Sequence, residues 1–131
     1  MSKYITGILI DVYNRTVINK TIVDELESYY DMLDCSTIDM QDRIIGIENG
    51  RQYTIVCDDE GLLKDNPKIS ALDDMGRPMF VGNLFIVNVD KEGNVVSLNY
   101  EDILYIEQFI QRRSTYRHPD PYPMLHQVEY L

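Results

Sequence analysis

FVGNLFIVNV, residues 80 to 89, is the most strand-like run in the chain. Its β-branched and aromatic side chains suit a pleated, buried surface. Asp90 to Asn94 supplies turn residues, and Val95 to Leu98 is placed to pair back on the run. On the other side, residues 64 to 78 hold Asn66-Pro67 and Asp73-Asp74-Met75-Gly76, which carry turn chemistry and little periodicity. Further upstream QYTIVC, residues 52 to 57, reads as a strand returning from Glu48-Asn49-Gly50. Its partner is the loosely alternating segment 37 to 47, because Asn-Gly suits a tight hairpin turn. YITGILID, residues 4 to 11, and RTVIN, residues 15 to 19, predict an opening hairpin around Asn14.

Helical spacing shows in two places. Thr21 with Asp24 has the form of a capping box, and Ile22, Leu26, Tyr29, Tyr30 and Leu33 recur at three- and four-residue intervals, which predicts a helix over 22 to 33. Asn99 with Asp102 starts a second over about 100 to 113, with Ile103, Leu104, Ile106, Phe109 and Ile110 as its core stripe and Arg112 and Arg113 at its negative end. Hairpin-linked strands with only two helices imply a single small α+β domain. Its expected form is an antiparallel or mixed sheet of about five or six strands with two helices on one face. Residues 1 to 113 make this domain, and 114 to 131, with Pro119, Pro121 and Pro123, form a C-terminal arm.

The 131 residues include 12 Lys and Arg against 22 Asp and Glu, a formal charge of -10. That average field repels polyanions and argues against a general nucleic-acid coating role. No run approaches the roughly 20 apolar residues of a membrane span. Two cysteines, Cys35 and Cys57, and a start without a long apolar segment are expected of a cytoplasmic chain with reduced thiols, not of a disulfide scaffold.

Three stretches carry a resemblance: VDELESYYDML (23 to 33), TIVCDDEGLLKDNP (54 to 67) and SALDDMGRPMFVGNLFIV (70 to 87). From about Ile22 to Ile110 the chain resembles a family of domains of unknown function, the one numbered thirty-eight forty-six, through Asp59-Glu60-Gly61, Leu63, Ala71-Leu72, Gly76, Gly82 and Phe85-Ile86-Val87. Where that family commonly has Asn-Arg before Ala-Leu, this chain has Ile69-Ser70, so no ligand role carries over to that pair. The resemblance implies a small α+β domain and a phage or mobile-element setting in a bacterial host. It implies no reaction.

Nucleotide-loop, zinc-protease and serine-hydrolase motifs are absent, and no catalytic residue, cofactor or metal is assigned. His118 and His126 both fall in the arm, far from the cysteines in sequence. The leading expectation is a non-enzymatic accessory binding protein, a counter-defence inhibitor acting on a host protein through an acidic face. Residues 21 to 60 hold eleven Asp or Glu against Arg43 and Arg51, a net of -9, and helical spacing would gather Asp24, Glu27 and Asp31 in one sector. The first alternative is sequestration of a small nucleotide-like signal between Arg43, Arg51, Arg112, Arg113, Arg117 and tyrosines such as Tyr116, since guanidinium forks clamp phosphate and rings stack on bases. The second is a small metal-dependent hydrolase built on Asp58, Asp59 and Glu60, because hard cations prefer clustered carboxylates.

The arm's prolines lower the entropy cost of docking it, while Tyr122, Leu125, Val128 and Tyr130 supply apolar surface. The arm is expected to mediate homodimerisation through these four side chains, by pairing with a second copy, with docking in cis as the alternative.

Overall fold

The computed structural model describes residues 3–131. The opening hairpin forms as expected. β1 (Tyr4–Asp11) pairs antiparallel with β2 (Thr16–Val23) across all eight positions. Asp11 holds the turn by accepting the backbone N–H groups of Tyr13 and Asn14. Then come α1 (Leu26–Leu33), β3 (Ile38–Ile45), β4 (Arg51–Asp58), a single 3-10 turn (Gly61–Leu63), β5 (Ile69–Leu72), β6 (Pro78–Val81) and β7 (Leu84–Val89). The chain closes with β8 (Val95–Val96), α2 (Tyr100–Glu107), β9 (Ile110–Arg113), β10 (Tyr122–Leu125) and β11 (Val128–Glu129).

The α+β class is correct, and its mostly antiparallel character with it. The strands divide into two sheets, however: a 7-stranded sheet in the order β11-β3-β4-β7-β1-β2 with β8 on β7, and a 4-stranded sheet in the order β6-β5-β10-β9. One sheet of five or six strands was expected. The difference arises where the run 80 to 89 breaks. Gly82 adopts φ +80 and donates its N–H to Lys68, and the side chain of Asn83 accepts the N–H of Val12 at 2.9 Å. The chain thereby steps from the small sheet into the centre of the large one within two residues.

Register across the three central strands explains the layers. Ile8 lies opposite Ile86, which lies opposite Ile55; Leu9, Phe85 and Val56 form the next rung. Because side chains alternate faces along a strand, Ile8, Ile10, Ile55, Leu84 and Ile86 enter one core with Ile106 of α2 and with Tyr122, Met124 and Leu125 of the small sheet. Ile5, Leu9, Val56, Phe85 and Val87 enter the other, under Tyr29 and Leu33 of α1. The two helices therefore cover opposite faces, not one face. Gly7 sits in the α1-side core, where an added Cβ would lie 2.4 Å from the Ile86 carbonyl oxygen.

Both helices are shorter than their periodicity predicts. Thr21 caps nothing: it lies in β2, and its hydroxyl meets that of Thr6 across the hairpin at 2.7 Å. Pairing with β1 continues through Val23, so α1 begins four residues later than the capping box would place it. The expected second helix stops at Glu107, and residues 110 to 113 instead pair with β10. Arg112 and Arg113 are strand residues, not a helix end.

The arm docks in cis. Tyr122, Leu125 and Val128 are fully buried in the chain's own cores, β10 is an interior strand of the small sheet, and β11 adds to β3. Of the four side chains assigned to self-association, Tyr130 alone stays exposed.

Candidate functional site

Strand β4 ends at Asp58, whose Oδ1 accepts the Glu60 N–H at 2.9 Å and turns the chain into Gly61–Leu63. Gly61 is buried against Val81, so the turn is pressed onto β6. The two residues that follow point outward: Leu62 is 74% exposed and Leu63 80%. Beside them opens a cavity of about 360 Å³ with Cys57, Met79, Phe80 and Val81 in its apolar lining and Asp39, Asp58, Asp59 and Glu60 among its polar lining. A second cavity of about 350 Å³, lined by Asp34, Cys35 and Lys64, shares Asp58, Glu60 and Leu63 with the first. The two make one continuous surface.

Electrostatics here are incompletely balanced. Asp58 is only 6% exposed at its side chain, and Lys64 Nζ stands 3.1 Å from its Oδ2. That ammonium is within ion-pair distance but off hydrogen-bond geometry, so Oδ2 is buried without a hydrogen bond among the described residues. Lys64 also donates to the backbone carbonyl of Asp34, which closes α1 in the left-handed conformation. Burial alone would lower the Lys64 pKa, but the adjoining carboxylate of Asp58, followed by that of Asp34, outweighs it and holds it raised. Burial pushes the Cys57 thiol up to about 12, reinforced by the carboxylates of Asp39, Asp59 and Asp58. Burial and Asp58 likewise raise Cys35, so neither thiol is primed as a nucleophile.

The three carboxylates assigned to a helical face do not share one. Asp24 precedes α1, is half-buried, and accepts the Tyr29 hydroxyl at 2.9 Å. Glu27 and Asp31 do lie on α1 and are exposed. Their acidic surface leads to Asp34 at the helix end and so to the cavity rim.

Nor does the structure gather the arginines. Arg43 lies over the rings of Phe80 and Tyr130 at 5.5 and 4.6 Å and donates to Gln41 and to the Asp42 carbonyl. Arg51 covers Tyr105 and stands 3.7 Å from Asp102. Arg112 donates to the Arg15 carbonyl, Arg113 edges a separate groove beside Met124, and Arg117 and Tyr116 are exposed in the loop before β10. The conformations around Asp58, Asp59 and Glu60 leave no group of three or more His, Cys, Asp or Glu able to hold a metal ion among the described residues. His118 packs edge-on against Tyr122, and half-buried His126 has its pKa lowered by burial and then by Arg113.

Asp102 is the contrasting carboxylate. It completes the box predicted at the start of α2, with its N–H bonded to the Asn99 side chain at 2.8 Å and its own carboxylate reaching back to the Asn99 N–H. It also accepts the Tyr53 hydroxyl at 2.8 Å and the Asn88 amide at 3.1 Å, which bolts α2 to β4 and β7. Burial, then this hydrogen bond to Asp102, raises the Tyr53 pKa.

Sequence reasoning missed Leu62, Leu63, Asp34 and Asp39. One signal was available: two adjacent leucines directly after a charged turn, with no periodic partner on either side.

Residues 5–112 match the family model described as Domain of unknown function (DUF3846). The match spans β1 to β9, and so extends beyond the segment that carried the resemblance. No curated protein and no solved structure matches the chain.

Proposed function

The chain belongs to the DUF3846 family, and from that premise we propose that it is a non-enzymatic accessory binding protein of a phage or mobile element that antagonises a host defence by engaging a host protein through its acidic surface. The observation that carries the reading is the placement of charge. Glu27 and Asp31 lie exposed on α1, and Asp34, Asp58, Asp59 and Glu60 continue the carboxylates to the cavity rim. Against them stands one nearby ammonium, Lys64, already engaged with Asp58 and the Asp34 carbonyl. Such a surface favours fast, salt-sensitive association with a basic partner.

The test is capture from host lysate at low salt, compared between the wild type and Glu27→Lys/Asp31→Lys. Both side chains are exposed, so the variant folds like the wild type. The expected result is a host protein retained by the wild type, released as salt is raised and lost from the variant. Retention of nothing, or equal retention by both, overturns the reading.

A further inference from the structure

The Gly61–Leu63 turn presents Leu62 and Leu63 to solvent side by side, although the domain has two apolar cores in which to bury such side chains. Buried Gly61 anchors the turn against Val81, so the leucines stand on a fixed base. The adjoining cavity continues the apolar surface inward through Met79, Phe80 and Cys57. Four carboxylates, Asp39, Asp58, Asp59 and Glu60, line the same cavity, and no Lys or Arg is among its described lining residues. Arg43 lies near, over Phe80, but both of its terminal guanidinium nitrogens are engaged, by the Asp42 carbonyl and Gln41, and its face also covers Tyr130.

We infer that Leu62, Leu63 and this cavity form the docking surface for a basic protein segment that inserts a bulky apolar side chain flanked by Lys or Arg. The charge pattern selects the occupant. A purely apolar partner would have to desolvate the carboxylate rim without compensation, and an acidic one would be repelled. A second copy of this chain, itself at -10, is disfavoured on the same ground. The buried Asp58 adds a specific acceptor: its Oδ2 has the Lys64 ammonium beside it but no hydrogen bond, and an incoming guanidinium could supply that bond. The leucines outside the cavity point to a polypeptide, because a small cation filling the cavity would leave them uncovered. An apolar anchor in a pocket ringed by polar contacts is the usual form of a binding hot spot.

This inference rests on the acidic-surface reading above and narrows it to one place. The test selects binders from a random peptide library displayed against the full chain, then measures affinity by fluorescence anisotropy at several salt concentrations. Enriched peptides should join Leu, Phe, Trp or Met to Lys or Arg and weaken as salt rises. Leu62→Ser/Leu63→Ser should weaken them by about tenfold or more while melting with the wild type. Asp59→Asn/Glu60→Gln should flatten the salt dependence. Enrichment of nothing, enrichment without basic residues, or affinity unchanged in the leucine variant overturns the assignment. So does binding of spermine at this cavity with no peptide enriched. If Glu27→Lys/Asp31→Lys loses the host protein while the leucine variant keeps it, the acidic-surface reading stands and this docking surface falls. If the leucine variant loses it and the α1 variant does not, the docking surface stands and the role given to α1 falls.

Discussion

Asp102 at the head of α2 and Asp58 at the end of β4 are both carboxylates set into the large sheet's rim, and the molecule treats them differently. Asp102 receives a phenol, an amide and a backbone N–H, with Arg51 nearby, and in turn has its own N–H capped by Asn99. Asp58 receives one backbone N–H and one ammonium, and it opens onto two cavities beside exposed leucines. A carboxylate whose acceptor positions are filled from within holds elements together; one left short of donors has capacity for something from outside. The same residue type is structural at one end of β4 and available at the other.

The sharpest way to break that comparison is Asp102→Ala. It leaves the Tyr53 hydroxyl and the Asn88 amide without their acceptor, each costing about 1–3 kcal/mol when buried, and removes half of the cap. The Arg51 pair adds little, since its 3.7 Å contact is half in solvent. The expected loss is about 3 kcal/mol in urea unfolding. A loss below about 1 kcal/mol would mean that the network is not what fastens α2 to the sheet.

A smaller effect isolates the cap from the network. Asn99→Ala removes the side chain that accepts the Asp102 N–H but leaves Tyr53 and Asn88 bonded, so the same measurement should show about 1 kcal/mol. A value equal to that of Asp102→Ala would assign the whole effect to the helix end and none to the strands.

The smallest is Asp58→Ala, expected to cost less than about 1 kcal/mol. It loses a turn bond and an ion pair to a partly exposed lysine, and it relieves repulsion among Asp39, Asp59 and Glu60 at the cavity. A loss as large as that of Asp102→Ala would make Asp58 structural and end the contrast.

Legibility in the sequence followed the range of the interaction. The first hairpin, the β3–β4 hairpin, the return of β8 onto β7 and the α2 cap are all contacts between near neighbours, and each was read correctly from spacing and turn residues. The Thr21 box had an equally good local signal and lost to a hairpin that binds Thr21 across to Thr6. The strand Ile69–Leu72 left no signal, because three residues buried in succession after half-buried Ile69 show no alternation and lie among turn residues. Of the candidate site, the acidic composition was visible, but Asp34, Asp39, Asp58 and Leu63 lie on different elements and meet only after folding.

By itself, then, the sequence determined the class, the central strands and the charge, because these depend on side-chain type and on spacings of a few residues. Only the tertiary structure decided that the chain crosses to a second sheet at Gly82, that α1 and α2 cover opposite faces, and that the C-terminal arm fills its own core. Those outcomes turn on which distant segments compete for the same strand edge or apolar face. That competition is settled by total burial and pairing, to which no short window of residues has access.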